Sequence, residues 1–338
     1  MKILHVANFS NLDHRTFHYS CDRKFNTAFI RNGHCVFEFS HRDIARANGL
    51  FQHKYWGVPK MNTLLLERIN DFRPDLLLLG HGELVTIETI QKIKNKHPSL
   101  PIAMWYVDWL KEKESSYLQE RIPLLDVLFC ADSGEHLEAL KKPNVKLCYI
   151  PNPADSSIET GRAFELPDLN TDFVFCGRDH KAPQRGSMMR FLFTKLPDLN
   201  FSIHGCLEHP PIFGTDYIDL LSHSKMGLNL SRWNDVRLAT SDRLVHLTGN
   251  GVLTFSPRVP GLEMLYKDNE LVYFNSQEDL VEKIRYYHEN GIERNRIAEA
   301  GWQRTHHSYS AQRITTFMLE TIFDQPYSEE YEWKSERY

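Results

Sequence analysis

The stretch SDRLVHLTGNGVLTF, from Ser241 to Phe255, decides the fold. Asp242 or the serine before it is a suitable helix cap, and the apolar residues that follow have helical spacing. The residues 249–251, Gly-Asn-Gly, then break the helix, and residues 252–255 form a short apolar run typical of buried strands. His246 stands in the helix just before this turn. A helix, a tight turn and a buried strand in this order are the repeating pattern of a parallel sheet covered by helices.

The length and composition of the chain favour an ordinary globular protein with two domains. A chain of 338 residues is long for one hydrophobic core, and 41% of its residues are hydrophobic while 25% are charged. The formal net charge is -4, so the chain has no basic excess that would indicate nucleic acid as a partner.

The sequence also bounds the location of the protein. No apolar run approaches the roughly 18 residues of a membrane-spanning helix, which predicts no membrane span but leaves peripheral membrane contact open. The N-terminal segment MKILHVANFS lacks a small-residue cleavage site and predicts a first strand, not a signal peptide. The six cysteines show no CxxC spacing, and several lie in strand-like runs, which favours reduced, buried thiols. We therefore expect a cytoplasmic protein.

Short apolar runs alternate with amphipathic segments along the chain. The first half contains KILHVAN, PDLLLLGHGE, PIAMWYVD, DVLFCAD and VKLCYIPN, and the second half contains DFVFCGR, NFSIHGC, MGLNLS, GVLTFS and ELVYFN. Between them lie segments such as TIETIQKIKNKH and SQEDLVEKIRYYHEN. This alternation predicts an α/β fold with two doubly wound, Rossmann-like parallel-sheet domains that face a cleft.

A stretch rich in Pro, Ser, Asp and Thr predicts the boundary between the domains. We expect an N-terminal domain over residues 1–155, a linker over residues 156–170 and a C-terminal domain over residues 171–310. Residues 311–338 are expected to form a C-terminal helix and tail that pack back on the first domain. Ligands of such domains bind beyond the carboxyl ends of the strands, so the residues that directly follow strands are the candidate site residues.

The ordered set of motifs in the second half resembles the GT-B glycosyltransferases, in particular the CgeB-like branch of the glycosyl transferases group 1 proteins. The resemblance is carried by KMGLNLSRW, SDRLVHLTGNGVLTF, PGLEMLYKDNELVYFNSQEDLVEKIRYYHEN and IAEAGWQRTHHSYSAQR, and more loosely by PDLLLLGHGELVTIETIQKIK and IAMWYVDWL. It covers about residues 1 to 325. It implies the GT-B architecture, a nucleotide-sugar donor bound mainly by the second domain, and a saccharide acceptor held by the first. Bacterial surface glycan synthesis is the role that the family suggests.

The candidate donor-binding residues follow strands of the second half or belong to the quoted stretch. They are Gly177, Arg178, Lys181, Arg185, His204, Asn229, Ser231, Arg243, His246, Thr248, Gly249 and Asn250. Gly177 lets the backbone approach a ligand, and the three cations that follow it precede a helix, where a diphosphate could bind. The alternative is that these cations form a solvated loop.

The chain departs from the family at two positions. The resemblance implies an acidic residue about two turns before the glycine turn and a Glu near the turn that binds the donor ribose, but Leu238 and His246 occupy these places. An imidazole can still bond a hydroxyl or a phosphate, so we expect His246 to contact the donor. The alternative is a buried structural histidine.

The candidate catalytic residues are Asp13, His14 and Asp108, and the candidate acceptor-binding residues are His18, His81 and Glu83. Catalysis of sugar transfer needs a base for the acceptor hydroxyl or groups that stabilise the oxocarbenium-like centre and the leaving diphosphate.

Each of these candidates has an alternative explanation. His14 and His18, with Asp13 and Asp22, could mimic a metal site, but the spacing to a third ligand is not enforced, and we expect no metal. The aromatic neighbours of Asp108 could belong to the core, and Glu83 could simply start a helix.

We expect no cofactor, because the nucleotide sugar is a substrate. Two other functions stay open: a non-catalytic nucleotide-sugar-binding protein of the same fold that has lost the Glu pair, and a nucleotide-sugar epimerase, which acts on the donor alone.

Overall fold

The computed structural model describes residues 1–11, 17–110 and 114–338, without the side chains of residues 114–116. The chain divides into two compact units. Unit 1 comprises Met1–Pro151 and Ala311–Tyr338, and unit 2 comprises Asn152–Ser310. Each unit contains one parallel β-sheet with helices, so the predicted α/β fold with two parallel-sheet domains is confirmed.

The sheet of unit 1 has six strands in the order β2-β1-β3-β4-β5-β6. The strands are β1 Lys2–Ala7, β2 Cys35–Ser40, β3 Leu76–Gly80, β4 Ile102–Tyr106, β5 Val127–Cys130 and β6 Lys146–Tyr149. The helices of this unit that precede β6 are α1 Cys21–Arg31, α2 His41–Ala47, α3 Val58–Phe72, α4 Ile87–Lys96, α5 Glu114–Arg121 and α6 Glu135–Glu138. The strand order reverses between β1 and β3, and this is the place where open parallel sheets bind ligands.

The sheet of unit 2 has five strands in the order β11-β10-β9-β7-β8. The strands are β7 Thr171–Cys176, β8 Phe201–His204, β9 Ser224–Leu228, β10 Leu253–Pro257 and β11 Val272–Phe274. The helices are α7 Pro183–Lys195, α8 Gly214–Ser222, α9 Asp242–Gly249, α10 Gln277–Glu289 and α11 Gly291–Ser308. Helix α12, Ala311–Ile322, returns to unit 1.

Continuous apolar runs form the central strands because both faces of each sheet are covered. All five residues of β3 and of β4 are buried. The helices beside them are amphipathic; in α4, for example, Ile90 and Ile93 are buried, and the Thr86 side chain accepts the Thr89 N–H at 3.2 Å. This cap satisfies one of the free N–H groups that every helix start leaves.

Residues 241–255 fold as predicted, with helix α9, a turn and strand β10. Gly251 has φ 76°, in the left-handed region that glycine tolerates best. A Cβ at this position would lie 2.7 Å from Cδ1 of Phe164. The glycine therefore allows both the backbone turn and the close packing of the chain beside it.

The segments expected to be a linker and a tail belong to the two units. Residues 156–170 are part of unit 2, where Glu159, Ala163 and Phe164 are buried and most of the other residues of the segment are exposed. Residues 311–338 are part of unit 1, where Asn32 Nδ2 on the end of α1 donates to the Gln312 carbonyl at 2.9 Å and Trp333 is fully buried. All six cysteines are free. Within the described residues, no helix is both long and apolar enough to span a bilayer.

Candidate functional site

Two arginines meet at the carboxyl ends of the unit 2 strands. Arg185, in the first turn of α7, donates from Nε to the Leu230 carbonyl at 3.0 Å and from Nη1 to the Arg178 carbonyl at 2.9 Å. Arg243, in the first turn of α9, donates from Nη1 to the same Leu230 carbonyl at 3.1 Å and from Nε to the Cys176 carbonyl at 2.7 Å. One carbonyl oxygen thus holds two guanidinium groups side by side.

This pair carries positive charge that the nearby protein does not balance by a salt bridge. Within the described residues, neither Arg185 nor Arg243 has a carboxylate within salt-bridge distance. Burial, followed by repulsion from Arg243, lowers the pKa of Arg185 to about 9, so Arg185 is still charged at neutral pH. Arg232 adds further repulsion, and Asp179 contributes only a weak attraction. An anion bound here would relieve this repulsion.

The surrounding residues offer polar atoms to such a ligand. Within the described part of the chain, Oδ1 of buried Asn229 and Oγ of buried Ser231, which follow β9, have no hydrogen-bond partner. Gly177 follows β7, and a Cβ there would lie 2.9 Å from Nη2 of Arg243. The missing side chain at Gly177 therefore leaves room for the guanidinium of Arg243.

The other predicted residues of this edge are more exposed. Arg178 and Lys181 are exposed in the loop between β7 and α7, and His204 is partly buried at the end of β8, where Nε2 lies 3.1 Å from Ser202 Oγ. The structure thus brings Gly177, Arg178, Arg185, Asn229, Ser231 and Arg243 to the carboxyl edge of one sheet.

His246 lies in the second half of α9 and already has protein neighbours. Its ring is 1% exposed, with Nδ1 at 3.1 Å from the Tyr217 hydroxyl and Nε2 at 3.6 Å from Oε1 of Glu159. Glu159 is itself buried, and its other oxygen accepts the Asp155 N–H at 2.8 Å. These contacts favour the structural alternative for His246 over the donor contact. Leu238, at the place of the earlier acid, is fully buried.

The turn after His246 is likewise bonded within the protein. The Thr248 hydroxyl donates to the Leu244 carbonyl at 2.9 Å, and the Gly249 carbonyl accepts from Nε2 of His306 at 2.9 Å. Both ends of the Asn250 amide are bonded to neighbouring segments. These polar groups fasten the end of α9 to the interior of unit 2, and the donor contacts of Thr248, Gly249 and Asn250 stay predictions.

Unit 1 has its own cluster of polar side chains at the carboxyl edge of its sheet. They line a cavity of about 200 Å³ beside the point where the strand order reverses. The lining residues are Asn8, Asp22, His41, Arg42, Gly80, His81, Glu83 and Asp108. Three of the predicted site residues, His81, Glu83 and Asp108, are therefore brought together.

In one half of this cavity, Arg42 and His41 lie beside the carboxylate of Glu83. The guanidinium of Arg42 donates to one of its oxygens, and His41 Nε2 lies 3.5 Å from the other. Burial alone would raise the pKa of Glu83, but His41 and Arg42 together hold it below its usual range. Burial lowers the pKa of His41 to about 4, and within the described residues neither ring nitrogen of His41 makes a hydrogen bond.

His81 occupies the other half of the cavity on a strained backbone. Its φ is 56°, an unfavourable value for a residue with a side chain, and the Tyr117 hydroxyl donates to its carbonyl. Nε2 accepts the Val107 N–H at 3.3 Å, which leaves Nδ1 as the donor, 3.5 Å from Oδ2 of Asp108. Burial lowers the pKa of His81, so its neutral form is favoured.

The carboxyl group of Asp22 in this cavity has a raised pKa. It lies in the first turn of α1, and its Oδ1 accepts the Asn8 N–H at 2.9 Å. Burial raises its pKa to about 6, against the opposing effects of this hydrogen bond and of Arg42. At neutral pH Asp22 is mainly ionised but remains basic enough to take a proton from a bound ligand.

Some cavity residues were not among the sequence candidates. His41 and Arg42 directly follow β2, a strand that was not predicted from the sequence. Because residues that directly follow strands are the candidate site residues, a prediction of β2 would have made both of them candidates. Asn8 directly follows β1 and was expected at this edge of the sheet, but no catalytic or binding role was predicted for it. His18 is partly buried before α1, with its ring 5.4 Å from that of Tyr19, and is not among the lining residues.

Two predictions cannot be placed. Asp13 and His14 lie outside the described residues. Among the residues that are described, no group of three or more His, Cys, Asp and Glu side chains is arranged to hold a metal ion.

Comparison with known proteins identifies the architecture. Sucrose-phosphate synthase from Thermosynechococcus elongatus is similar with a TM-score of 0.65 at 10% identity, over 96% of this chain and 98% of that chain. HepE from Anabaena, solved in complex with UDP and glucose, is similar with a TM-score of 0.63 at 12% identity, over 96% of this chain and 100% of that chain. AviGT4, a glycosyltransferase involved in avilamycin A biosynthesis, is similar with a TM-score of 0.59 at 12% identity, over 96% of this chain and 97% of that chain.

The fold is that of the GT-B glycosyltransferases. Residues 184–320 match the family model described as glycosyl transferase-like, a segment that includes Arg185 and Arg243. No curated protein sequence matches the chain significantly. The family match covers 137 of the 338 residues, and the solved structures share the fold of this chain.

Proposed function

We propose that this chain transfers a sugar from a nucleotide-sugar donor to a saccharide acceptor, as a CgeB-like member of the GT-B glycosyltransferases. The observation that carries the proposal is the pair of adjacent guanidinium groups, Arg185 and Arg243, at the carboxyl edge of unit 2. The complexes of Anabaena HepE with UDP and with UDP-glucose support a nucleotide sugar as the ligand.

In the proposed donor complex, the diphosphate binds to Arg185 and Arg243, with exposed Arg178 and Lys181 reaching it from the loop after β7. Guanidinium groups bind phosphate oxygens in pairs and stay charged, so they stabilise the negative charge that develops on the leaving diphosphate. These cations do the work that a divalent ion does in other transferases, and we propose that the reaction needs no metal and no cofactor. Asn229 and Ser231 supply the polar atoms beside them.

The unit 1 cavity is the proposed acceptor site. It combines carboxylates, neutral imidazoles and a guanidinium in a small volume, which suits a ligand rich in hydroxyl groups. Asp22 accepts the proton of a bound acceptor hydroxyl, and Glu83 and His81 orient the sugar ring of the acceptor. Asp13 and His14 stay predicted catalytic residues. We further propose that the enzyme works in the cytoplasm on a bacterial surface glycan.

A thermal-shift screen tests the donor site. The melting temperature is measured with UDP, GDP, CMP and dTDP, and we expect at least one to raise it, because a ligand that binds only the folded state stabilises it. Arg243→Gln and Arg178→Ala should each weaken binding of that nucleotide by about 1.5–3 kcal/mol, the range for hydrogen bonds to charged groups. Binding of the matching nucleoside should hardly change.

The matched control is Arg296→Gln, which removes an exposed guanidinium paired with Glu293 on α11. It changes the net charge by the same amount as Arg243→Gln, and we expect wild-type binding. Equal losses for nucleoside and diphosphate would show that Arg243 only supports the fold. Stabilisation by none of the nucleotides would contradict the donor site itself.

A further inference from the structure

Four large apolar side chains stand in solvent on one short segment of unit 1. Leu50 is 68% exposed, Phe51 94%, Tyr55 61% and Trp56 59%. They lie on two single-turn 3₁₀ helices, Leu50–Gln52 and Lys54–Gly57, between α2 and α3. We call these four residues the aromatic turn. Single exposed apolar residues are common on proteins, but four within seven positions form a contiguous surface that usually has a binding role.

The backbone of the segment holds these side chains outward. Phe51 and Gln52 have φ 53° and 58°, two successive residues in the left-handed region that side chains disfavour. Hydrogen bonds from Gln52 N–H to the Gly49 carbonyl at 3.0 Å and from Trp56 N–H to the His53 carbonyl at 3.1 Å close the turns. A strained backbone that leaves Phe51 almost fully exposed indicates that the exposure is useful.

The charge around the aromatic turn is positive. Residues 44–66 contain Arg46, Lys54 and Lys60 but no Asp or Glu, in a chain whose net charge is -4. Nζ of Lys54 lies 5.0 Å from the centre of the Tyr55 ring, within the aromatic turn itself. Asp43, the acid just before this segment, is buried and accepts hydrogen bonds from Ser40 Oγ and the Asn11 N–H. Arg46 Nη1 lies 3.9 Å from Oδ1 of Asp43, so its charge is paired. The face is therefore apolar at its centre, with partly exposed Lys54 and exposed Lys60 as the cations beside it.

We infer that the aromatic turn docks unit 1 on the surface of an anionic lipid bilayer. Trp and Tyr rings prefer the region of the lipid headgroups, Phe and Leu side chains enter the hydrocarbon just below it, and lysines pair with acidic headgroups. The combination of aromatic tips and uncompensated lysines matches that interface better than an apolar protein surface, which would leave the lysines unpaired. This docking is independent of the proposed sugar transfer.

Co-sedimentation of the full-length chain with vesicles tests the inference. Vesicles of phosphatidylcholine alone are compared with vesicles that also contain phosphatidylglycerol. We expect binding to the second kind only. The double change Phe51→Ser with Trp56→Ser should weaken binding at least about tenfold, since it removes one side chain from the hydrocarbon and one from the headgroup region. Lys54→Gln with Lys60→Gln should weaken it about fivefold per charge, with less dependence on salt than the wild type shows.

Ile292→Ser is the control, because Ile292 is 92% exposed on unit 2, outside the aromatic turn. It should bind vesicles like the wild type, and all the variants should keep the wild-type melting temperature because the changed side chains are in solvent. No binding to anionic vesicles, or an equal loss with Ile292→Ser, would overturn the inference. Vesicle-independent self-association that the double serine variant abolishes would instead show that a second copy of the chain covers the aromatic turn.

Discussion

The imidazole of His5 is enclosed in unit 1, where it has a partner on each ring nitrogen. Nε2 accepts from the indole N–H of Trp105 at 3.2 Å, and Nδ1 lies 3.3 Å from Oδ1 of Asn26. Burial lowers its pKa from 6.5 to about 4, partly offset by the Asn26 hydrogen bond. The fold therefore needs the neutral ring, while the unfolded chain binds a proton below pH 6.5.

Acid should destabilise the protein through this histidine. As pH falls from about 6.5 to about 4, the unfolded state takes up a proton that folded His5 refuses, so the free energy of unfolding decreases by on the order of 3 kcal/mol. His5→Gln, which can still accept from Trp105, should remove this part of the pH dependence. His41 acts in the same direction, and Asp22, whose raised pKa favours folding at low pH, acts in the opposite one.

Urea unfolding at several pH values measures the effect, with His307→Gln as a control because His307 is exposed on α11. The control should lose stability in acid as steeply as the wild type. An equally steep loss in His5→Gln would mean that His5 is not held in its neutral form.

At the scale of the elements, the turn between α9 and β10 depends on Gly251. A Cβ there would lie 2.7 Å from Cδ1 of Phe164 and 2.8 Å from the Ala163 nitrogen, at φ 76°. Gly205 has the same φ in the same unit, but a Cβ there would approach no atom closer than 3.4 Å. An alanine would be strained by the left-handed backbone at either position. Only at position 251 would its Cβ also clash with neighbouring atoms.

Alanine substitution separates the two effects. Gly205→Ala should lower the free energy of unfolding of unit 2 by about 1–2 kcal/mol, because a residue with a Cβ is disfavoured in the left-handed region. Gly251→Ala should cost at least about 1–3 kcal/mol more, because the added carbon overpacks a filled site. The unfolding transition of unit 2 in urea measures both. Equal costs would show that the neighbouring chain gives way freely and that packing does not fix this turn.

The elements that sequence predicts best are those buried on both faces. The apolar runs around β1, β3–β6 and β7–β11 became strands because only continuous hydrophobic segments fit between two layers of helices. Strand β2 was missed because CVFEFS lies at the sheet edge and its first four residues are only partly buried or exposed. The polar composition of residues 156–170 did not indicate that Glu159 and Phe164 are buried in unit 2, because composition does not reveal the partners of single side chains.

The candidate site was predicted where its residues follow strands that the sequence predicts. Residues that directly follow strands, such as Arg178 and Asp108, were found because parallel strands end at one edge. Arg243 was anticipated as a donor residue in the quoted stretch. Pattern alone could not show that the other end of α9, with His246 and Asn250, is bonded to the interior of unit 2.

At the scale of the whole molecule, the proposed reaction divides its chemistry between the two units. In this proposal the cationic edge of unit 2 holds the leaving diphosphate, and the polar cavity of unit 1 holds the acceptor hydroxyl. Asp22→Asn should therefore leave nucleotide binding unchanged but slow transfer about 100-fold, the lower range for loss of a general base. Asp71→Asn, a change of an exposed carboxylate on α3, should transfer sugar like the wild type.

Transfer to a saccharide acceptor is the measurement that bears most directly on the proposed function. Nucleotide sugars of the nucleotide that the thermal-shift screen selects are incubated with the protein and a set of saccharides. Mass spectrometry follows both substrates, and NMR follows the configuration of the donor sugar. We expect an acceptor to gain the mass of one sugar as nucleoside diphosphate appears, at a rate that falls as pH is lowered through about 6, where Asp22 becomes protonated. A bound nucleotide sugar that never glycosylates an acceptor, or that changes configuration without one, would contradict the proposed transferase.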